Sequence, residues 1–326
     1  MNYKESIVDF CKHLGLDTIG FCECRVFEEL RSFYEERKLN NQENEFEEQD
    51  IEKRINPFNN MENGKTIISI AFPYLYEDKE DPKIYFSKYT RGKDYHQVVS
   101  YYLKQVCEFI ESLGGEAKYF VDSNTLPERY IAYLCGIGFI GKNNMVITEK
   151  YGSYVFLGEI ITDLELRRDK PIEQKCGECT LCLKECPTKA VNRAGSFPNI
   201  CLSYITQKKQ IEDIWFEKLS GRMFGCDSCQ NVCPFNIDIK LSQIEQFKPY
   251  EYMKDISLEE LINIDNSIFK EKYAVTSCGW RGKNILQRNA LINSAVVNKK
   301  LPIDEKAINS PFVKDYYHRL LKKMQL

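Results

Sequence analysis

The chain has 326 residues, 43% hydrophobic and 29% charged, which leaves room for two or three domains around a large core. No stretch has the apolar length of a membrane span, and the start at Met1-Asn2-Tyr3-Lys4 lacks a signal region or twin arginine, so no membrane contact and a cytoplasmic location are expected. The net charge of −3 does not announce a nucleic-acid binder, but it is unevenly spread: ten Lys or Arg stand against three Asp or Glu from Arg281 onward, and residues 27–52 hold ten acidic and three basic side chains. A basic end can hold phosphates, although charge alone favours a solvated helical face.

In chain order, residues 3–15 read as a helix with Ile7, Phe10, Cys11 and Leu14 on one face. Thr18–Cys22 reads as a short strand, and residues 27–53 as a helix that runs into an acidic surface excursion. The unbroken apolar run Lys65–Phe72, closed by Pro73, predicts a buried strand. Val99, Leu103, Val106, Ile110 and Leu113 recur at helical spacing, and Gly114-Gly115 stops that helix. Lys118–Val121 is the next strand, with Asp122-Ser123 placed to cap a following helix that ends at Gly136. Met145–Thr148 and Tyr154–Thr162 read as strands joined by a turn at Lys150–Ser153. Strands alternating with helices over residues 1–165 predict an α/β domain. A small metal-stapled domain is expected at 166–240 and a helical segment at 241–326, where Ile285, Ile292 and Val296 share a face.

Fourteen cysteines in a chain with no leader point to a reducing compartment and to metal rather than disulfides. Cys11, Cys22, Cys24, Cys107, Cys135 and Cys278 lie outside the dense region and read as small buried apolar residues. The other eight carry the chemistry. Cys176-x2-Cys179-x2-Cys182-x3-Cys186-Pro187 is the run of a bacterial-type ferredoxin, whose first three thiolates hold one cluster and whose fourth is turned toward another. A second run, Cys226-x2-Cys229-x3-Cys233-Pro234, lacks its first cysteine; Met223 stands there, and Cys201 is the only thiol between the runs. One [4Fe–4S] cluster is therefore assigned to Cys176, Cys179, Cys182 and Cys233, and the other to Cys186, Cys201, Cys226 and Cys229. Zinc suits paired cysteines, but not a third at the next step together with two Cys-Pro ends.

Two clusters carry single electrons, so the preceding domain is expected to hold the site that uses them. Gly136-x-Gly138-x-x-Gly141 has the letters of a dinucleotide fingerprint but follows a predicted helix instead of a strand, and reads as a helix stop. Asp94-Tyr95-His96 opens like a cobalt-ligating D-x-H-x-x-G motif, but Val99 replaces the glycine, so His96 is not read as a ligand; His13 and His318 have no motif context.

The sequence resembles the cobalamin-dependent epoxyqueuosine reductases from about Asp50 to Asn293. The resemblance lies in Asp50-Ile-Glu-Lys-Arg54, Gly92-Lys-Asp-Tyr-His96, Val121-Asp122-Ser123, Gly136-Ile-Gly-Phe139 with Lys142-Asn143, and Tyr151–Leu157. It continues through the whole cysteine pattern, including the gap at Met223 filled by Cys201, to Trp280-Arg-Gly-Lys283 and Gln287-Arg-Asn-Ala290. It implies a base-off cobalamin between the first domain and the clusters, and a two-electron removal of the epoxide oxygen of epoxyqueuosine in a tRNA anticodon stem-loop. Asp122 matches the family's proton donor, which must then be raised by apolar surroundings; its bland reading is the helix cap. Arg54, Asp122, Val146, Leu157, Gln207 and Asp227 match corrin contacts. Arg129, Lys189, Lys209, Arg281 and Lys283 match tRNA contacts. A monomer served by an unidentified electron donor is expected, with a C-terminus shorter than the HEAT-like repeats of many members. The alternatives are a corrinoid reductase of a small molecule, akin to a reductive dehalogenase, and an electron-transfer partner protein.

Overall fold

The computed structural model describes residues 2–77, 82–301, 305 and 308–324. Its first part is built on a four-stranded sheet of β1 (Ile19–Glu23), β2 (Thr66–Pro73), β4 (Ala117–Phe120) and β7 (Val155–Thr162), in the order β1-β2-β7-β4. Every neighbouring pair is antiparallel, which corrects the expected α/β class: the fold mixes helices with an antiparallel sheet. The reason lies in the threading. Strands β2 and β4 run parallel and are joined through α4 (Tyr95–Ser112), as a β-α-β pattern predicts, but β7 enters between them from the other direction.

Side chains alternate across β2 and β7 and so divide the core in two. Ile68, Ile70, Phe72 and Ile160 face α1 (Tyr3–His13) and α4, meeting Ile7, Cys11, Val99, Leu103 and Val106. Ile67, Ala71, Val155 and Ile161 face the other way, toward Ile131 and Ala132 of α5 (Glu128–Leu134), with Tyr34 of α2 (Arg31–Leu39) and Ile55 of α3 (Ile51–Ile55) behind them. The predicted turn at Lys150–Ser153 is present, but β6 (Val146–Thr148) pairs with β5 (Gly138–Ile140) and not with β7. Gly136 ends α5 and Gly138 opens β5, so the glycine triplet is a helix stop.

The cysteine region follows, with α6 (Leu181–Glu185) and a small hairpin of β8 (Val191–Asn192) and β9 (Gly195–Ser196). Beyond it come short helices α7–α12 (Leu202–Ile205, Phe216–Leu219, Ser228–Asn231, Glu251–Lys254, Leu258–Ile262, Asn266–Ile268) and the longer α13 (Lys283–Val297) and α14 (Pro311–Met324). The helical end is not packed apart. Leu286, Ala290, Leu291, Tyr316 and Leu320 share one core with Leu202, Ile205, Phe216, Met223 and Phe224, and with Phe86 of the first part. Strand β3 (Tyr85–Phe86) pairs with β10 (Arg222–Phe224) across this join. Gly225 has φ +78°, and a side chain there would collide with Ser87 and Tyr89, so only glycine lets the second cysteine loop seat against residues 87–89. Among the described residues no helix is long and apolar enough to cross a membrane.

Candidate active site and cluster ligands

The eight cysteines fall into the two expected groups. Cys176, Cys179, Cys182 and Cys233 line one small cavity with Lys142, Asn143, Ile147, Pro234 and Phe235. The Asn143 amide nitrogen is buried there with no hydrogen-bond partner among the described residues. A sulfide or thiolate sulfur is an acceptor that would satisfy it, which fits an iron–sulfur cluster in the cavity. Lys142 donates to the carbonyls of Gly177 (2.5 Å) and Cys179 (3.0 Å), holding the first loop against the sheet domain. The second group is just as close. Burial and the thiols of Cys226 and Cys186 push Cys201 up to about 11, and burial with Cys201, Cys226 and Cys186 raises Cys229. Cys201 thus lies among Cys186, Cys226 and Cys229, while Met223 is buried in the helical core. Among the described residues no three His, Cys, Asp or Glu side chains converge tightly enough for a single ion. The remaining six cysteines are all buried.

A second constellation sits on the loop between β4 and α5. Asp122 does not cap a helix: α5 begins only at Glu128, behind Pro127. Asp122 instead takes φ +49°, a left-handed conformation that aspartate tolerates better than most residues. Its Oδ2 accepts the Tyr95 hydroxyl (2.6 Å) and lies 3.2 Å from His96 Nε2. Tyr95 and His96 form the first turn of α4, capped by Asp94, whose Oδ1 also lies 2.9 Å from His96 Nδ1. An imidazole between two carboxylates donates from both nitrogens only as the cation. Burial lowers His96, but Asp122 and Asp94 outweigh it and lift the imidazole to about 9. Burial raises Asp122, yet His96 and Tyr95 more than offset this and hold the carboxyl below its usual range. Among the protein's own groups, then, the Asp122 carboxyl sits low and pairs with a readily protonated imidazole, and it keeps 55% of its side chain exposed.

Two further acids stand behind this loop. Glu128 Oε1 accepts the Asp122 backbone N–H (2.6 Å) and the Asn124 side chain (2.8 Å). Burial and the Asp122 charge push Glu128 up to about 7. Glu159 is fully buried in β7, where burial and Glu128 raise it well above the normal range. Tyr89 also belongs here. Its hydroxyl lies 3.4 Å from the Gln207 amide, and burial with Cys278, Asp227 and Asp122 raises its phenol, so it stands between the sheet side and the cluster side.

The residues matched to corrin contacts have mixed placements. Val146 and Leu157 lie in the core facing α5. Arg54 stacks 3.8 Å over the Tyr34 ring and pairs with Glu47 (3.2 Å), so it is neither exposed nor idle. Gln207 donates to Ser203 and accepts from Trp280 Nε1 (3.1 Å). Asp227 is wholly buried and accepts from Ser87 Oγ (2.6 Å) and the Lys88 amide (2.8 Å); it fastens the cysteine loop to residues 87–88 and is not turned to open space. The acidic excursion is fastened too. Phe46 lies edge-on to Tyr204 and Trp280, and Glu45 pairs with Arg281. The chemistry of the set still suits a corrin: apolar Val146 and Leu157 for the ring, with amide, guanidinium and carboxylate groups for its amide-bearing rim.

Among residues matched to tRNA, Lys209 is exposed and Lys283 partly so. Arg129 donates to the Asn144 carbonyl, Lys189 caps α6 through the Leu183 and Lys184 carbonyls, and Arg281 donates to the Gln207 carbonyl (2.8 Å). These three are occupied by the protein's own backbone.

Two four-cysteine sets in one chain, of which the first run has ferredoxin spacing, define an iron–sulfur protein of the electron-carrying class. Residues 54–123 match the family model described as epoxyqueuosine reductase QueG, DUF1730, and residues 175–236 match the 4Fe-4S double cluster binding domain. The epoxyqueuosine reductase of Bacillus cereus is 38% identical over 89% of this chain and 79% of its own length. That of Cellulophaga algicola is 34% identical over 89% of this chain and 98% of its own length. Among solved structures, epoxyqueuosine reductase with an epoxyqueuosine-modified tRNA-Tyr stem loop superimposes with a TM-score of 0.93 at 33% identity, covering 99% of this chain and 90% of that one. A Bacillus subtilis structure with its catalytic loop swung out of the active site gives a TM-score of 0.91 at 32% identity, with the same coverage. The chain belongs to the epoxyqueuosine reductase family. Its relatives do not favour the small-molecule alternative.

Sequence reasoning missed four of the groups gathered here. His96 was set aside as a failed cobalt motif, and nothing in the sequence says that it meets Asp122, 26 positions away. Tyr95 stood inside the resembling stretch Gly92–His96 without being given a role, and Glu128 carried no signal beyond its position. Glu159 did: a carboxylate inside the apolar run Val155–Thr162 is an anomaly that marks a function or a buried network.

Proposed function

We propose that the chain removes the epoxide oxygen of epoxyqueuosine in a tRNA anticodon stem-loop, with Asp122 as the residue that delivers the proton to the opening C–O bond. The observation that carries this reading is the Asp122 carboxyl, presented on its own loop and tied to His96 and Tyr95. Loss of the oxygen as water takes two electrons and two protons. Two [4Fe–4S] clusters on the eight cysteines and a cobalamin beside Asp122 would supply the electrons when bound. Arg54, Gln207, Val146 and Leu157 are the residues that would hold the corrin; Asp227 supports them from behind by anchoring the cluster loop.

The protein's own groups handle the proton. His96 stores it beside the Asp122 carboxylate, with Asp94 on the far nitrogen keeping the imidazole oriented. An apolar cofactor face over Asp122 desolvates the carboxylate and shifts this proton toward it. Tyr95 donates to the same oxygen and fixes its direction. Exposed Lys209 and partly exposed Lys283 are candidate phosphate contacts. The parts divide as a sheet domain for cofactor and substrate, the cysteine region for electrons, and the helical end as support. A cytoplasmic monomer reduced by a separate donor completes the reading.

The test is single-turnover conversion of epoxyqueuosine-tRNA, followed by mass spectrometry, with anaerobically prepared protein. Asp122→Asn keeps size and hydrogen bonding but cannot donate a carboxylic proton, so turnover is expected to fall by about 10²–10⁴-fold with clusters and cobalamin retained. Near-normal turnover would remove Asp122 from the mechanism.

A further inference from the structure

The site leaves two carboxyls without a task. Glu159 points from β7 to the side of the sheet that α5 covers, opposite Ser69 in the strand register. Its Oε1 accepts the Ser69 hydroxyl (3.1 Å), and its Oε2 is buried with no hydrogen-bond partner among the described residues. A buried carboxylate oxygen left unpaired is costly, and a native fold keeps one for a reason. Its acidic neighbour is Glu128. Arg129, next in the chain, does not neutralise the pair directly, because its guanidinium is given to the Asn144 carbonyl.

Two carboxyls in contact inside a protein do not both ionise; they share a proton. That proton is the donor the unpartnered Glu159 oxygen lacks. The opposite side of Glu128 is already committed, since Oε1 takes both the Asp122 N–H and the Asn124 side chain. The loop it grips has few other ties. Asn124 Oδ1 accepts the Leu126 N–H, and Thr125 meets Asn60 at 3.3 Å.

We propose that Glu128 is a positioning residue for Asp122: one carboxyl oxygen pins the loop through the Asp122 N–H and the Asn124 amide, while the other end of the side chain is seated on buried Glu159. The pair forms a post between the rigid sheet and the loop. The left-handed backbone at Asp122 is what turns its N–H back to Glu128 while its carboxyl faces His96 and Tyr95. This inference rests on Asp122 being the reacting acid.

The experiment measures hydrogen exchange of the 117–127 segment in the cluster-loaded protein beside single-turnover rates for Glu128→Gln, Glu128→Asp and Glu128→Ala, with iron content as the check on folding. Glutamine keeps an acceptor oxygen at the same reach, so exchange and rate should stay within about threefold of the parent. Alanine removes the acceptor and aspartate draws it back by one methylene. Both should speed exchange of the Asp122 amide by about tenfold or more and slow the chemical step by about tenfold, in kcat rather than KM. Unchanged exchange in the Ala and Asp variants overturns the proposal, as does a Gln variant as impaired as Ala. If exchange responds as expected while Asp122→Asn remains active, the anchor stands and the role of Asp122 falls.

Discussion

At the scale of single residues, His96 is the group whose ionisation the site depends on. Its pKa is raised from 6.5 to about 9 by the carboxylates on either side. For a raised cation the sign is fixed: the charged pair is complete below the unfolded value and is lost as pH rises through the folded one. Single-turnover rates should therefore hold through neutral pH and fall near pH 9 as His96 gives up its proton. A His96→Gln variant, neutral throughout, should be slower at pH 7 by about tenfold or more and should lack that alkaline limb. A parent rate that stays flat past pH 10 would exclude His96 from proton supply. Phosphate contacts can be sorted in the same way. Lys283→Glu should weaken binding of the stem-loop most at low salt, with cluster content unchanged. Arg281→Glu should also disturb Gln207, because Arg281 Nε holds the Gln207 carbonyl.

At the scale of elements, α13 shows why the helical end cannot be an optional tail. Arg288, Asn289 and Asn293 are fully buried on α13 among Leu286, Ala290, Leu291 and Ile292. Arg288 donates to the carbonyls of Thr206, Lys208 and Lys209; Asn289 donates to those of Thr206 and Met223; and Asn293 bridges the Gly221 N–H and the Arg222 carbonyl. The row clamps the turn that carries Gln207 and the strand that precedes Cys226. Burial lowers Arg288 to about 10, but a guanidinium held by three carbonyls keeps its charge. Arg288→Ala strands those acceptors, so a loss of roughly 3 kcal/mol or more in unfolding free energy is expected from denaturant titration. The helix was legible from Ile285, Ile292 and Val296. Its polar row was visible only as a string of letters, because no periodicity says which backbone a buried asparagine will hold. The loop at Asp122 was misread for a related reason. Asp-Ser is good capping chemistry, and only Pro127 hinted that the helix begins later.

At the scale of the whole molecule, local signals were read well and their assembly was not. The strands Thr66–Pro73, Ala117–Phe120 and Val155–Thr162 were found close to their ends, yet strand order depends on contacts across much of the chain, and β7 slipping between β2 and β4 turned the expected α/β alternation into an antiparallel sheet. The cysteine sets were the opposite case. Ligand spacing is itself a geometric constraint, so the sequence carried the grouping directly. Anaerobic protein should contain about eight irons per chain, and Cys201→Ala should damage the cluster it shares with Cys186, Cys226 and Cys229 more than the other. About four irons in the parent, or stoichiometric zinc, would refute the assignment.

The two cysteine groups also interleave along the chain. Cys186 leaves the first run to join the later residues, and Cys233, the last of the eight, returns to the cavity of Cys176, Cys179 and Cys182. During synthesis neither group is complete until nearly all of this segment has emerged, so loading has to await a scaffold that already brings its two ends together. Once in place, each cluster is a crosslink that ties down the loop carrying part of the other's ligands. Loss of one therefore frees ligands of its neighbour. Oxidative loss of one centre should hasten loss of the other, and the second should decay faster in a chain that has already lost the first than in the intact protein.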